Sequence, residues 1–442
     1  MKTPICDFVR EYARSDALKL HMPGHKGKSF LGFEGLDITE VDGADSLYEA
    51  SGIIAESEKN ASDIFGCDTY YSTEGSSQCI RAMVYLVSLY AKSKGERPLI
   101  WAGRNAHKTF HSAIALLNVD VEWIYPDEDE NYLSCGITVE KLEKILTECE
   151  KKPTAIYLTS PDYLGNVLDI ASISQFCRKN EILLAVDNAH GAYLKFLTPS
   201  RHPIDLGADI CCDSAHKTLP VLTGGAYLHL SESFAQNMGG CVKNALALFG
   251  STSPSYLILQ SLDAANSYLE QYAGKLSAFV SRVDLLKSDL IQNGYELYGD
   301  EALKITIETK KYGYFGCDFA KTLKEKGIVC EFCDPDFVVL MLTPEIENLD
   351  RVEKILLSVP KLEQIDQPAP NFSRLKRKDS IREAILSPSQ AVAIENSLGR
   401  VVAMASVGCP PAVPIAVAGE LVDENAVKCF RYYGIEKINV IN

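Results

Sequence analysis

Short apolar runs alternate with stretches in which apolar side chains recur every three or four positions, and the alternation repeats between residues 70 and 230. Leu99-Ile100-Trp101, Trp123-Ile124-Tyr125, Ile156-Tyr157-Leu158, 182–186, 208–212 and 226–230 are too short for helices and read as buried strands. Between them Ile80, Met83, Val84, Val87 and Tyr90 share one helical stripe, and further helices are expected to about Leu117, over 138–149 and over 171–179. Strands alternating with helices predict a mostly parallel α/β sheet with its ligand outside the carboxyl edge.

On either side the pattern changes. Residues 1–20 read as a short amphipathic helix, and Ile53, Ile54, Ser57, Ala61 and Ile64 carry helical spacing. A long helix is expected from about 255 to 290. Strand–helix units follow at 303–309, 328–333 and 337–342 with a helix over 350–359, then a Pro-rich linker at 365–371 and a small α+β module. The expected division is an N-terminal arm at 1–40, a large ligand-binding domain at 41–260, a small α/β domain at 261–365 and a C-terminal module at 372–442.

Reactive side chains gather just past the predicted strand ends. Asp213-Ser214-Ala215-His216-Lys217 follows one strand and precedes Gly224-Gly225. A lysine amine there is placed to form a Schiff base with an aldehyde cofactor, of which pyridoxal 5'-phosphate (PLP) is the usual one. Tyr70-Tyr71-Ser72-Thr73-Glu74-Gly75-Ser76-Ser77 runs from a strand into a helix start, an arrangement that either binds a phosphate or merely caps the helix. Asp187 ends another strand thirty residues before Lys217. A carboxylate against a pyridine nitrogen keeps that nitrogen protonated and the ring electron-accepting. His107 is a candidate for stacking on such a ring, and Ser76, Ser77, Ser214 and His216 are candidates for its phosphate. Each has a plain alternative: a helix cap for Asp187, a satisfied buried imidazole for His107 or His190, a surface amine for Lys217. His21-Met22-Pro23-Gly24-His25-Lys26-Gly27 either turns a tight corner or lines a site; Pro23 and Gly24 break the helix that would let its histidines share a metal, and no metal is expected.

Composition narrows the classes. The 442 residues are 46% hydrophobic and 23% charged, ordinary for a globular protein of more than one domain. A net charge of −15 argues against nucleic-acid binding, and the basic run Arg374-Leu375-Lys376-Arg377-Lys378 reads as a solvated linker. Fourteen scattered cysteines without a signal peptide suggest reduced cytoplasmic thiols, and Cys330-x-x-Cys333 reads as a strand with two buried thiols. The uncharged run from Val401 to Gly419 is interrupted by Pro410, Pro411 and Pro414, so it reads as strand and loop, and no membrane span is expected.

In this order the motifs resemble the Orn/Lys/Arg decarboxylase family, basic amino-acid decarboxylases with the aspartate-aminotransferase (type I PLP) fold. The resemblance rests on the stretches at 21–27, 74–77, 104–108, 186–191 and 214–217, and continues through Arg382-Glu383-Ala384, Gly399-Arg400, 410–414 and Gly419-Glu420. It implies Lys217 as the Schiff-base lysine, Asp187 as the pyridinium partner, His107 as the ring-stacking residue and His190 beside the cofactor. Gly75, Ser76, Ser77, Ser214 and His216 would hold the phosphate. It also implies a short member without the N-terminal wing domain and a homodimer with its active site at the interface. A basic substrate needs an acidic contact for its far end, for which Glu74, Asp162 and Glu420 are candidates. Three departures stand out: Asn188 where the family's Asp-Glu-Ala-His has glutamate, Glu74 where asparagine is usual, and Cys-Pro-Pro-Ala-Val-Pro at 409–414. They fall where substrate choice is decided. An aminotransferase or other lyase on the same fold is the alternative, and it would hold the substrate carboxylate with an arginine such as Arg104, Arg382 or Arg400. A non-catalytic homologue is a third reading, disfavoured because both Lys217 and Asp187 are present.

Overall fold

The computed structural model describes residues 1–127, 132, 135–404, 407–408 and 413–442. Seven strands form the main sheet: β1 (Asp68–Ser72), β2 (Leu99–Gly103), β3 (Asp120–Ile124), β4 (Ala155–Thr159), β5 (Leu183–Asp187), β6 (Ile210–Asp213) and β7 (Ala226–Leu230). Their order is β1-β7-β6-β5-β4-β2-β3. The pairs β5–β6 and β2–β3 are parallel, whereas β7 runs antiparallel to both β6 and β1. Strands β2, β5, β6 and β7 are buried at every position, which is why their sequences are continuous apolar runs rather than alternating ones.

Two compact units divide the chain, and each is assembled from separated segments. The first comprises Met1–Pro98, Thr154–Ile156 and Ile170–Leu276. Its helices include α1 (Pro4–Arg14), α2 (Ile53–Phe65) and α3 (Gly75–Ser93). Helix α3 buries Cys79, Ile80, Met83, Val84 and Val87, the stripe that its 3.6-residue spacing predicts, and packs on β1, β6 and β7. Helix α1 stops at Arg14, short of the expected residue 20, where Ser15 turns extended and its hydroxyl donates to the Tyr12 carbonyl. The 21–27 loop holds its own corner: the His25 ring bonds Asp37 at 3.2 Å and accepts from the Gly27 N–H at 3.0 Å, and His21 bonds the Tyr12 hydroxyl.

The second unit comprises Leu99–Pro153, Tyr157–Asp169 and Ser277–Asn442. It holds α4 (Lys108–Leu117) and α5 (Val139–Glu148) together with a four-stranded sheet of β8 (Leu297–Tyr298), β9 (Lys304–Glu308), β10 (Phe332–Cys333) and β11 (Phe337–Met341). That sheet is antiparallel throughout, and β9, β10 and β11 fall within the runs expected at 303–309, 328–333 and 337–342. Ile305, Ile307, Val338, Leu340 and Phe319 form its core. A second core, with Val402, Ile415, Phe430 and Val440, carries the C-terminal module, where β12 (Ser389–Ala393) pairs β15 (Lys437–Ile441) and β13 (Val407–Gly408) pairs β14 (Pro414–Ala416). The expected long helix is two helices, Tyr256–Leu269 and Tyr272–Gln292; neither Gly nor Pro marks the break, so apolar periodicity runs through it.

Two expectations are corrected. The four basic side chains of the 374–378 run are exposed as expected, but the run is no free linker: Leu375 is buried, Arg374 lies over the Tyr125 ring at 4.4 Å, and the Lys376 carbonyl accepts from the Leu421 N–H at 2.9 Å. Cys330 and Cys333 are only half-buried: Cys330 precedes β10, Cys333 lies in that edge strand, and the Cys333 thiol hydrogen-bonds that of Cys317 at 3.5 Å. The departures at 409–412 lie outside the described residues.

Candidate active site

Strands β5 and β6 end side by side in the first unit, with Asp187 opposite Cys212. Asp187 is 2% exposed; one carboxylate oxygen accepts from the Ala189 N–H at 3.2 Å and lies 3.8 Å from the Cys212 thiol. Past β6 the chain makes a single helical turn, α6 (Ala215–Thr218), which carries Lys217. The Lys217 Nζ lies 2.9 Å from Nε2 of His190, which follows the end of β5. A strand end, a turn and a second strand end thus bring a primary amine onto an imidazole.

The N-terminus of α3 supplies the neighbouring wall. Ser214 Oγ donates to Ser76 Oγ at 2.8 Å, which joins the first turn of α3 to the end of β6. The Gly75 N–H donates to the Gly224 carbonyl at 2.7 Å, and His216 bonds the Gly225 carbonyl through Nδ1 at 3.0 Å. Gly224 has φ of +99°, and a Cβ there would meet the Thr73 carbonyl oxygen at 2.9 Å, so this close approach requires glycine. The first turn of α3 has no acidic side chain, which leaves its dipole free to favour an anion. Glu74 points elsewhere: its carboxylate accepts from the Ser251 N–H at 2.6 Å.

Other sequence-predicted residues belong to the second unit. His107 caps α4, its Nδ1 accepting from the Thr109 N–H at 3.3 Å and lying 2.9 Å from the Thr109 hydroxyl, and its ring is exposed rather than buried. Asp162 is buried; both its oxygens accept from Asn166, and burial pushes its carboxyl up to about 6. Glu420 is buried against Arg104, which donates from Nη2 at 2.8 Å, and the same Glu420 oxygen accepts from the Val417 N–H at 2.9 Å. The three arginines that an aminotransferase reading needs all have internal partners. Arg104 holds Glu420, Arg382 donates to the Ala115 and Leu116 carbonyls, and Arg400 donates to the Ile441 carbonyl.

The Orn/Lys/Arg decarboxylase major-domain model matches residues 3–290. The chain belongs to this family. An arginine decarboxylase of Halalkalibacterium halodurans is 27% identical over 97% of this chain and 93% of its own length. One of Bacillus subtilis is 26% identical over 96% and 92%. The lysine decarboxylase LdcF of Francisella novicida superposes with a TM-score of 0.78 at 16% identity, covering all of this chain and 81% of the other. The fold is that of type I PLP enzymes, shared at a TM-score of 0.55 and 12% identity with SPT holding PLP over 71% of this chain and 79% of the other.

As a member of that family the chain carries a donor set that fits PLP. Hydroxyls and a helix N-terminus suit a phosphate, a buried carboxylate suits a ring nitrogen, and an amine suits an aldehyde. Sequence reasoning missed one group: Asp213, whose carboxylate binds Asn188, His202 and His229. The one available signal was a charged residue closing a buried strand.

Proposed function

We propose that this chain is a PLP-dependent decarboxylase that converts arginine, or failing that lysine or ornithine, to the corresponding amine and CO₂. The observation that carries the reading is the Lys217–His190 pair at 2.9 Å, beside the buried Asp187. Relatives aligned over almost their whole length are named arginine decarboxylases, which favours arginine. PLP, when bound, supplies the electron sink that takes up the charge left when the carboxylate departs.

The residues of this chain do the rest. Lys217 would be the amine that holds the cofactor through its aldehyde, and His190, 2.9 Å from its Nζ, would hold or return a proton there. Asp187 would keep the ring nitrogen protonated, and the family resemblance assigns the ring-stacking role to His107. Gly75, Ser76, Ser77, Ser214 and His216 hold the phosphate. Glu74 and Asp162 remain candidates for the far end of a basic substrate. Glu420 is a third; the carboxylates of all three already have internal partners, Ser251 for Glu74, Asn166 for Asp162, and Arg104 with the Val417 N–H for Glu420. Internal partners on Arg104, Arg382 and Arg400 weigh against an aminotransferase.

Exposed apolar side chains on the N-terminal arm, with Leu20 91% and Phe30 77% exposed, support a homodimer in which a second copy covers them. Thirteen free cysteines among the described residues support a reducing, cytoplasmic compartment. Among the described residues no helix is long and apolar enough to cross a membrane.

A visible absorption spectrum with PLP, followed by CO₂ release from each basic amino acid, tests the proposal. The expected result is a band that Lys217→Ala abolishes, with CO₂ released from arginine. Failure to develop a band with added PLP would refute it, and a band without CO₂ release would redirect it to another reaction on this fold.

A further inference from the structure

Position 188 is the departure closest to the chemistry, lying between Asp187 and His190. Its side chain is turned into the interior. Asn188 is fully buried, and its Nδ2 donates to Oδ1 of Asp213 at 2.6 Å. The other oxygen of Asp213 accepts from Nε2 of His202 at 3.1 Å and from Nε2 of His229 at 3.2 Å. His229 is held in turn by the Thr69 hydroxyl, 2.9 Å from its Nδ1. Asn188, Asp213, His202 and His229 are all fully buried.

One carboxylate therefore ties together the end of β5, the penultimate residue of β7 and the loop that precedes β6. The backbone ladder between β5 and β6 ends at Asp187 and Cys212. The Asn188–Asp213 bond continues the tie one step further, at the residue after Asp187 and the residue before Ser214. Asn188 also packs under the turn that carries His190: a Cβ on Gly191 would lie 2.0 Å from Asn188 Oδ1, and the Gly191 N–H donates to the Asn188 carbonyl at 2.7 Å.

The chemistry of the contact selects the residue. With an anion at 213, position 188 must present a donor, and a second carboxylate would set two negative charges against each other in a dry interior. Burial opposes ionisation of Asp213, but the two imidazoles overcome it and hold the carboxyl well below its usual range. The Asn188 Oδ1 is left buried without a hydrogen-bond partner, as expected if the amide orientation is imposed by Asp213.

We propose that Asn188 and Asp213 are a matched amide–carboxylate pair that positions Asp187, His190 and Lys217, so that asparagine at 188 answers the aspartate at 213 rather than the substrate. The pair acts through its neighbours, and the proposal rests on the PLP-decarboxylase reading above.

The test is an exchange. Asn188→Asp, Asp213→Asn and the double variant are compared with the wild-type chain for PLP affinity, position of the bound-cofactor absorption band, and kcat and KM separately. In the exchanged protein the amide nitrogen at position 213 donates to the carboxylate at position 188, while the amide oxygen at 213 still accepts from both imidazoles. Each single variant is expected to bind PLP about tenfold more weakly with a shifted band, and the exchange to return both toward wild type, a coupling of the size found for residues sharing one hydrogen-bond network. KM for arginine is expected to change little while kcat falls. Single variants with wild-type affinity and band would overturn the pair. If the single variants do not fold, the exchanged protein decides alone: a wild-type band upholds the proposal, and an unfolded or cofactor-free protein refutes it. A wild-type chain that never develops a band refutes the decarboxylase reading instead, so the two failures are distinct.

Discussion

Arg104 and Glu420 show what a single pair of residues decides. Arg104 is 1% exposed and spends one Nη2 bond on Glu420, while its Nε and Nη1 have no hydrogen-bond partner. Removing one member of a buried ion pair strands the other charge, whereas removing both can be almost neutral. Glu420→Ala is therefore expected to destabilise the protein by about 3–5 kcal/mol in urea denaturation, and Arg104→Met with Glu420→Leu to recover most of that loss. A substrate contact predicts something else: the double variant would be stable and would lose affinity for a basic substrate. The sequence shows Glu420 as part of a motif but cannot show its partner, 316 positions away. Asp187, His190 and Lys217 were legible because each lies just past an apolar run. The partners of Asp213 were not, because nothing local links residues 188, 202, 213 and 229.

Among the elements, those with a strong pattern were legible. The fully buried strands and the stripe on α3 follow from apolar spacing alone. The two-residue strands β8 and β10 and the antiparallel order of the smaller sheet did not show, since pairing direction depends on where chain segments return. The turn after Lys217 is the element on which the site depends most. Its Gly224 carbonyl holds the Gly75 N–H, and its positive φ allows no comfortable side chain. Gly224→Ala is expected to cost about 1–3 kcal/mol through backbone strain and the close Thr73 carbonyl, and to weaken PLP binding by moving the start of α3. Gly274 is the control, since a Cβ there meets nothing within 4 Å inside a helix. Gly274→Ala should raise stability by about 0.5–1 kcal/mol and leave the absorption band unchanged. Thermal melts with and without PLP read both.

Fold class was readable for the molecule as a whole, but the compact units were not, because each collects separated segments that no scan for linkers joins. The pH dependence of stability is a property at this scale, set by opposing buried groups. Burial holds His111 down to about 3 and also lowers His229, so the unfolded chain takes up protons below about 6.5 that the folded one refuses. Their contribution is complete above that pH and is lost as the solution is acidified. Asp162 works in the opposite sense. Burial pushes it up to about 6, above its unfolded value, so its proton stabilises the folded chain at low pH, and this contribution is lost as pH rises through about 6. Asp334, pushed up to about 7 by burial, behaves alike. These effects oppose one another between about pH 4 and 6.5, and the wild-type curve alone does not separate them. Asp162→Asn does, because the amide cannot ionise. Whatever fixed penalty the amide incurs beside Asn166, its stability relative to wild type should improve from about pH 4 to about pH 8 by about 2 kcal/mol, with little further gain above about pH 6.5. A difference that stays constant over that range would mean that Asp162 is ionised in the folded protein throughout, and that Lys304, whose Nζ donates to the Asp162 carbonyl, compensates its buried charge.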